Sequence, residues 1–216
     1  MRSYTIGYIE HDSDVHSRYL APSLYGLIGQ FDVITTSDKN YPAKNYNEIK
    51  EKCQTDYLIL THQDVSFPCD LLFSIDKTID TLSYMGVDFG VLGMVGMDPD
   101  MTYQQHYSSS KRIHLVDTLD CCFAVIDPKF PAKFDEENFG EYHLYIEDYC
   151  AQMNRVHNKR NFTILIDGDP SPVKEDFVRD KIRHHGATVN KIGFCWGRYN
   201  EFRNKLTEKW GTIKTT

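Results

Sequence analysis

Apolar positions recur along this chain with two periods. YTIGYIE (4–10), FDVITTS (31–37) and YLILTH (57–62) are short runs dense in β-branched and aromatic residues, each followed by polar positions, and they read as strands. Between them the apolar residues return every three or four positions. A helix-like stretch over 18–29 separates the first two strands, and NYPAKNYNEIKEKCQ (40–54) places Tyr46, Ile49 and Cys53 on one helical face. Asp70 stands where it would cap a further helix, because Leu71, Leu72, Ile75, Ile79 and Leu82 follow at helical steps. FGVLGMVGM (89–97) reads as a glycine-rich buried strand. This alternation of strand and helix predicts a mainly parallel sheet covered on both faces.

The order loosens after residue 97. Residues 98–114 are polar and aperiodic and read as a long loop, of a length that is often functional in a compact domain. LVDTLDCCFAVID (115–127) resumes as strand. GEYHLYIEDYCAQMNRV (140–156) is a helix with Ile146, Tyr149, Cys150 and Met153 on its apolar face. NFTILID (161–167) is a strand, Pro170 and Pro172 mark a turn, and a Gly-containing loop at Gly186 precedes an amphipathic helix from Tyr199 to Trp210. No internal repeat or low-complexity linker interrupts the pattern.

Composition narrows the function classes. The chain has 216 residues, 41% of them hydrophobic, enough to fill the core of one large α/β domain. A net charge of −7 argues against a nucleic-acid surface, which needs clustered Lys and Arg. From Lys174 to Lys214, however, basic residues outnumber acidic ones two to one, which marks either a solvated helix face or a phosphate-facing segment. Six cysteines form no CxxC pair and lie mostly in apolar stretches, as buried free thiols do. No apolar run approaches the ~20 residues of a transmembrane helix, and MRSYTIGYIEHD lacks the apolar core of a signal peptide. A cytoplasmic protein without a transmembrane segment is the expectation.

In open α/β sheets ligands gather at the carboxyl ends of strands. Three such ends carry polar residues here: Glu10 to Asp12, Ser37 to Asp38, and His62 to Asp64. Each alone is consistent with a solvated or capping loop. Asp64 suits a hard-cation ligand that would sit beside diphosphate oxygens. His184 and His185, in IRHHGAT, are candidate imidazole ligands that would favour Mn²⁺ over Mg²⁺, or else a surface pair in a basic loop. On a helical wheel Asp148 falls almost opposite the apolar stripe, so it is expected to face away from the core. Near a helix N-terminus such a carboxylate stays ionised and is able to take a proton from an attacking hydroxyl.

Taken in order, these segments resemble the A-type (GT-A) glycosyltransferases, specifically family 2 and its glycosyltransferase-like relatives with HQD in place of the acidic DxD motif. AKNYNEIKEKCQTDYLILTHQDVSF (43–67) is similar to the family stretch that runs from a basic-Asn pair through a helix and strand into the metal-binding motif. GVLGMVG (90–96) and VDTLDCCFAVID (116–127) resemble the next two family strands. FDEENFGEYHLYIEDYCAQM (134–153) is similar to the segment ending in the Glu-Asp pair, and IRHHGAT (182–188) with WGRYNEFRNKLTEKW (196–210) to the C-terminal histidine and closing segment.

The resemblance implies a single Rossmann-like GT-A domain, a three-layer α/β/α sandwich around a mostly parallel mixed sheet. Residues 1–97 would form the nucleotide-sugar half and 98–216 the acceptor and catalytic half. It implies that Ile9, Glu10, Asp38, Lys44, Asn45, His62, Gln63 and Asp64 bind a nucleoside diphosphate sugar, UDP-sugars first. Asp64 and His184 or His185 would hold Mn²⁺ or Mg²⁺. Asp148, with Glu147 beside it, would be the base for an inverting transfer to a glycan or other hydroxyl acceptor. The loop 98–114, with Tyr103, Gln104, Gln105, His106 and Tyr107, would close over both substrates. Two other readings stand beside this one. A sugar nucleotidyltransferase would need a Gly-rich basic loop after the first strand, and IEHDSDVHSRYLAPS (9–23) offers none. A catalytically silent nucleotide- or glycan-binding module of the same fold is consistent with His62 in the acidic motif.

Overall fold

The computed structural model describes residues 2–38, 41–97, 106–108, 112–140, 143–165, 182–185, 196–213 and 215. Along the chain the strands are β1 (Tyr4–Ile9), β2 (Phe31–Thr36), β3 (Tyr57–Thr61), β4 (Val65–Ser66), β5 (Phe89–Gly93), β6 (Val95–Met97), β7 (His106–Ser108), β8 (Leu115–Val116), β9 (Thr118–Leu119), β10 (Phe123–Ile126), β11 (Arg160–Thr163) and β12 (Arg183–His184). The helices are α1 (Ser13–Arg18), α2 (Leu20–Gly26), α3 (Pro42–Lys52), α4 (Leu71–Tyr84), α5 (Tyr145–Arg155) and α6 (Trp196–Trp210).

Seven strands form the central sheet in the order β2-β1-β3-β10-β5-β11-β8. β1, β2 and β3 pair in parallel, β11 pairs parallel to β5, and only β10 and β8 run against their neighbours. β10 inserts between β3 and β5, so residues from both halves of the chain share one sheet. β4 pairs with β12, and β6 lies between β7 and β9, in two small accessory sheets.

The period-two alternation of the strands separates two cores. In β3, Leu58 and Leu60 face one side and Ile59 the other; in β10, Ala124 and Ile126 oppose Phe123 and Val125. α3, α5 and α6 cover the first side and α2 and α4 the second, which completes the three layers. α3 starts at Pro42, whose fixed φ suits the first helical position. It packs so closely on β1 that a Cβ on Gly7 would stand 2.5 Å from Ile49 Cγ2, and only glycine leaves room for that approach.

Several elements differ from the pattern read along the chain. Of the helical stretch expected around 18–29 only Leu20–Gly26 is helix, as α2, and a further short helix, α1, precedes it over Ser13–Arg18, capped by Asp12 through the Val15 N–H at 3.0 Å. The run 89–97 breaks at Met94, where β5 ends in the central sheet and β6 turns off to pair with β7 and β9. Gly96 permits this pairing, because a Cβ there would meet the Thr118 carbonyl oxygen at 2.6 Å. The single strand expected over 115–127 is three, β8, β9 and β10. The helix expected over 140–156 spans only α5, entered through Leu144 in the left-handed region at φ 59°. Asp70 precedes α4 but its side chain makes no capping bond. β7 lies inside the expected loop 98–114; Tyr103, Gln104 and Gln105, like Pro170, Pro172, Gly186 and Cys195, fall outside the described residues. The described cysteines are all free thiols, and Cys53, Cys122 and Cys150 are buried, but Cys69 is exposed, against expectation. Among the described residues no helix is long and apolar enough to cross a membrane.

Candidate active site

The parallel register of β1 and β2 sets Ile9 opposite Thr36, so Glu10 and Ser37 leave the sheet at the same edge. There an open cleft of about 740 Å³ is lined by Glu10, His11, Asp12, Thr36, Ser37 and Asp38 among others. Ile9 itself is buried in the core. Gln63 and Asn45 brace the segments that line this cleft. The Gln63 side-chain oxygen accepts the N–H groups of His11 and Asp12, both at 3.1 Å, tying the end of β1 to the end of β3. The Asn45 amide donates to the carbonyls of Asp38 at 2.6 Å and Tyr41 at 2.7 Å, holding the turn that carries Asp38. Both amides are buried, whereas Lys44 next to Asn45 is exposed.

Beyond β3 the chain presents His62 and Asp64. β4 pairs antiparallel with β12, which sets His184 opposite Val65 and brings its Nε2 to 3.4 Å from Asp64 Oδ1. Donor atoms of His62, Asp64 and His184 all lie within 4.8 Å of one another. A second set shares His184: donor atoms of Asp120, Cys122 and His184 also lie within 4.8 Å of one another. His185 goes elsewhere. Its ring stacks on Tyr19 at 4.1 Å and its Nε2 bonds Ser66 Oγ at 2.8 Å, so of the two expected histidines the structure brings His184 to the cluster.

The electrostatics suit a cation. Burial, reinforced by neighbouring His184, pushes His62 down to about 4, which leaves it neutral near pH 7. Burial works the same way on His184, but Asp64 outweighs it and raises that imidazole instead. Two imidazoles and a carboxylate with 3% of its side chain exposed form a mixed nitrogen and oxygen donor set that fits Mn²⁺ better than Mg²⁺. Tyr145, the first residue of α5, places its hydroxyl 2.6 Å from His62 Nε2 and donates to the Cys121 carbonyl at 3.3 Å.

The same first turn carries Glu147 and Asp148, both buried. Asp148 was expected to face away from the core and is instead fully buried, with 0% exposure. The end of α6 explains this. Trp210 Nε1 donates to Asp148 Oδ1 at 2.6 Å, and the Lys209 ammonium lies 2.9 Å from the same oxygen while also bonding Asp135 at 2.7 Å. Burial raises Asp148 above the usual carboxylate range although Lys209 and Trp210 pull the other way. A helical wheel locates the apolar face of α5; it cannot show that a later helix covers the polar one. Tyr145, Asp120, Cys122, Lys209 and Trp210 do not stand out in the sequence, because each sits in a segment that reads as core or as a solvated helix face.

Sheet order, the reversed β10 and the strand-end site together define the GT-A fold of glycosyltransferases. No known sequence family matches the chain, and no curated protein sequence does. Solved structures match it with low identity. S. aureus TarS 1–349 in complex with UDP-GlcNAc superposes with a TM-score of 0.55 at 11% identity, covering 97% of this chain and 66% of that one. The same protein with UDP gives 0.53 at 12% identity, covering 78% and 59%. GalNAc-T7 with UDP, GalNAc and Mn²⁺ gives 0.54 at 6% identity, covering 76% and 42%. The chain thus spans less than two thirds of each of these proteins.

Proposed function

We propose that this chain transfers a sugar from a nucleoside diphosphate sugar, UDP-sugars first, to a hydroxyl of a glycan or another acceptor, with inversion at the anomeric carbon. The observation that carries the reading is the convergence of His62, Asp64 and His184 beside the strand-end cleft of a GT-A sheet. The bound UDP-GlcNAc, UDP and Mn²⁺ named for the structural neighbours support it. The motif at 62–64 is then the HQD variant of the family 2-like acidic motif.

In this reading the cleft takes the nucleoside, with the carboxylates of Glu10 and Asp38 accepting bonds from base N–H or ribose hydroxyl groups. His62, Asp64 and His184 would hold the divalent ion, Mn²⁺ before Mg²⁺. When bound, that ion offsets charge developing on the departing diphosphate. Asp148 accepts the proton of the acceptor hydroxyl, which attacks from the face opposite the diphosphate. For the acceptor to reach it, Trp210 or Lys209 must yield its place on the carboxylate. The sealing of Asp148 by α6 also favours a second reading, a binding module that holds nucleotide without turnover.

Two variants separate these readings. Asp64→Ala should abolish Mn²⁺-dependent binding of the donor, measured by calorimetry, while the circular dichroism spectrum stays native. Asp148→Asn should bind donor normally and stop transfer. A wild-type protein that binds UDP with Mn²⁺ but transfers to no acceptor, just as Asp148→Asn does, would establish the module.

A further inference from the structure

We propose that the open edge of β2 is an interface between two copies of this chain, joined by antiparallel β2–β2 pairing about a two-fold axis at Val33. The inference is independent of the donor and cation readings above. β8, at one edge of the central sheet, is two residues long, too short to template another strand. β2, at the other edge, runs for six residues in unbroken parallel register with β1, and among the described residues no strand pairs with its outer side. Exposed edges of that length are ordinarily blunted by Lys, Pro or a bulge. FDVITT (31–36) carries neither Lys nor Pro, its register has no bulge, and Asp32, Val33 and Thr35 are exposed.

The backbone alternation of β2 makes the strand its own complement. The Glu10 N–H donates to the Thr36 carbonyl at 2.7 Å, so Thr36 turns its backbone groups toward β1. Successive residues of a strand point these groups in opposite directions, so Asp32 and Ile34 also face β1, and Phe31, Val33 and Thr35 present N–H and C=O outward. An antiparallel copy centred on Val33 sets Val33 against Val33 and Phe31 against Thr35, and each outward donor then meets an outward acceptor. The same register sets Asp32 opposite Ile34, so no like charges oppose each other. Phe31 packs on the core under α2 and α4, which places Val33 and Thr35 on that face as well. The two Val33 side chains, each 46% exposed in the single chain, therefore meet there. Tyr25 on α2, Ile28 just after it and Phe73 in the first turn of α4 are exposed on the helices of the same face, and the Ile28 N–H bonds the Cys69 carbonyl at 2.8 Å, holding Ile28 beside the start of α4. Much of the exposed apolar surface thus stands on the side where the Val33 pair forms, and it adds to a strand pairing that is marginal by itself.

Sedimentation velocity of the whole chain tests the pairing. Wild type should sediment as a concentration-dependent dimer. Val33→Lys sets two like charges opposite each other across the axis and should give a monomer with a native circular dichroism spectrum, and Val33→Glu should do the same. Mixed in equal amounts, the two variants should recover the dimer, because Lys then faces Glu; recovery is expected only where residue 33 meets itself. Val33→Pro removes one outward N–H and leaves the ladder to β1 whole, so it too should be monomeric, and it serves if a charged variant fails to fold. A wild type that stays monomeric up to the highest concentration reached, or a dimer that none of these substitutions disturbs, would overturn the proposal. Monomeric Lys and Glu variants that do not pair with each other would overturn the register at Val33.

Discussion

Tyr145 joins two parts of the site through one hydroxyl. Its oxygen lies 2.6 Å from His62 Nε2 and 3.3 Å from the Cys121 carbonyl, so one hydroxyl holds the imidazole ring in place, and the hydrogen bond it shares with Nε2 is coupled to which ring nitrogen carries hydrogen. Removing it leaves the ring without that constraint. Tyr145→Phe should therefore weaken Mn²⁺ binding roughly tenfold while thermal stability stays within a few degrees of wild type. Unchanged Mn²⁺ affinity in this variant would show that the Tyr145 hydroxyl does not position His62 for the ion. Asp64 and His184 could be picked out from sequence because polar residues at a strand end, or a His pair in a basic loop, stand out against their surroundings. Tyr145 and Asp120 could not, since an aromatic at a helix start and an acid inside an apolar run both look structural until β3, β10 and α5 are assembled. Gln63 and Asn45 show the converse: polar residues beside the strand ends whose amides are spent on the cleft wall, Asn45 on two backbone carbonyls and Gln63 on the backbone N–H groups of His11 and Asp12 and on the His11 ring.

At the level of elements, the alternation of strands and helices was legible in periodicity, but element ends and the place of each strand in the sheet were not. FGVLGMVGM reads as one strand because its apolar pattern is continuous, yet Gly96 lets β6 turn onto β9. The docking of α6 was likewise hidden, because Lys209 and Trp210 sit at its end and find their partners at Asp148 on α5 and at Asp135. Burial alone would raise Asp135, but bonds from Lys209 and Asn138 overcome it and hold it at about 2. A carboxylate depressed in the folded state stabilises it above the unfolded pKa and loses that contribution as pH falls through the folded one. Asp148, raised by burial, is protonated earlier in the descent, so its pair with Lys209 weakens first and the pair with Asp135 keeps α6 docked until the pH approaches 2. Two tryptophans are present, and a Trp196→Phe background assigns the fluorescence to Trp210. Acid titration in that background should release Trp210 between about pH 4 and pH 2, and adding Asp135→Asn should move the release to higher pH. Coincident titrations with and without Asp135→Asn would show that the Lys209 bridge does not hold α6.

On the scale of the whole molecule the charge balance constrains how a substrate is held. The chain carries a net −7, and its strand-end cleft is walled by Glu10, Asp12 and Asp38, with Asp64 just beyond. A nucleoside diphosphate is itself a polyanion, and between like charges the nucleoside contacts alone face repulsion that only a counter-charge offsets. Lys44 is exposed on α3, and Lys209 is already committed to Asp135 and Asp148. In the proposed function the counter-charge for the diphosphate would come from a divalent ion at His62, Asp64 and His184. UDP with Mn²⁺ at a hundredfold excess over its Kd should stabilise the folded state by about 2.7 kcal/mol. For a chain of this size that corresponds to roughly 5–10 °C in Tm. UDP in the presence of EDTA should give almost none of that shift, and uridine, which lacks the diphosphate, should respond to neither addition. A shift of equal size with and without EDTA would show that the protein binds the diphosphate through its own cations. No shift under either condition would overturn the donor-binding reading, since a ligand bound to the native state alone must raise its stability.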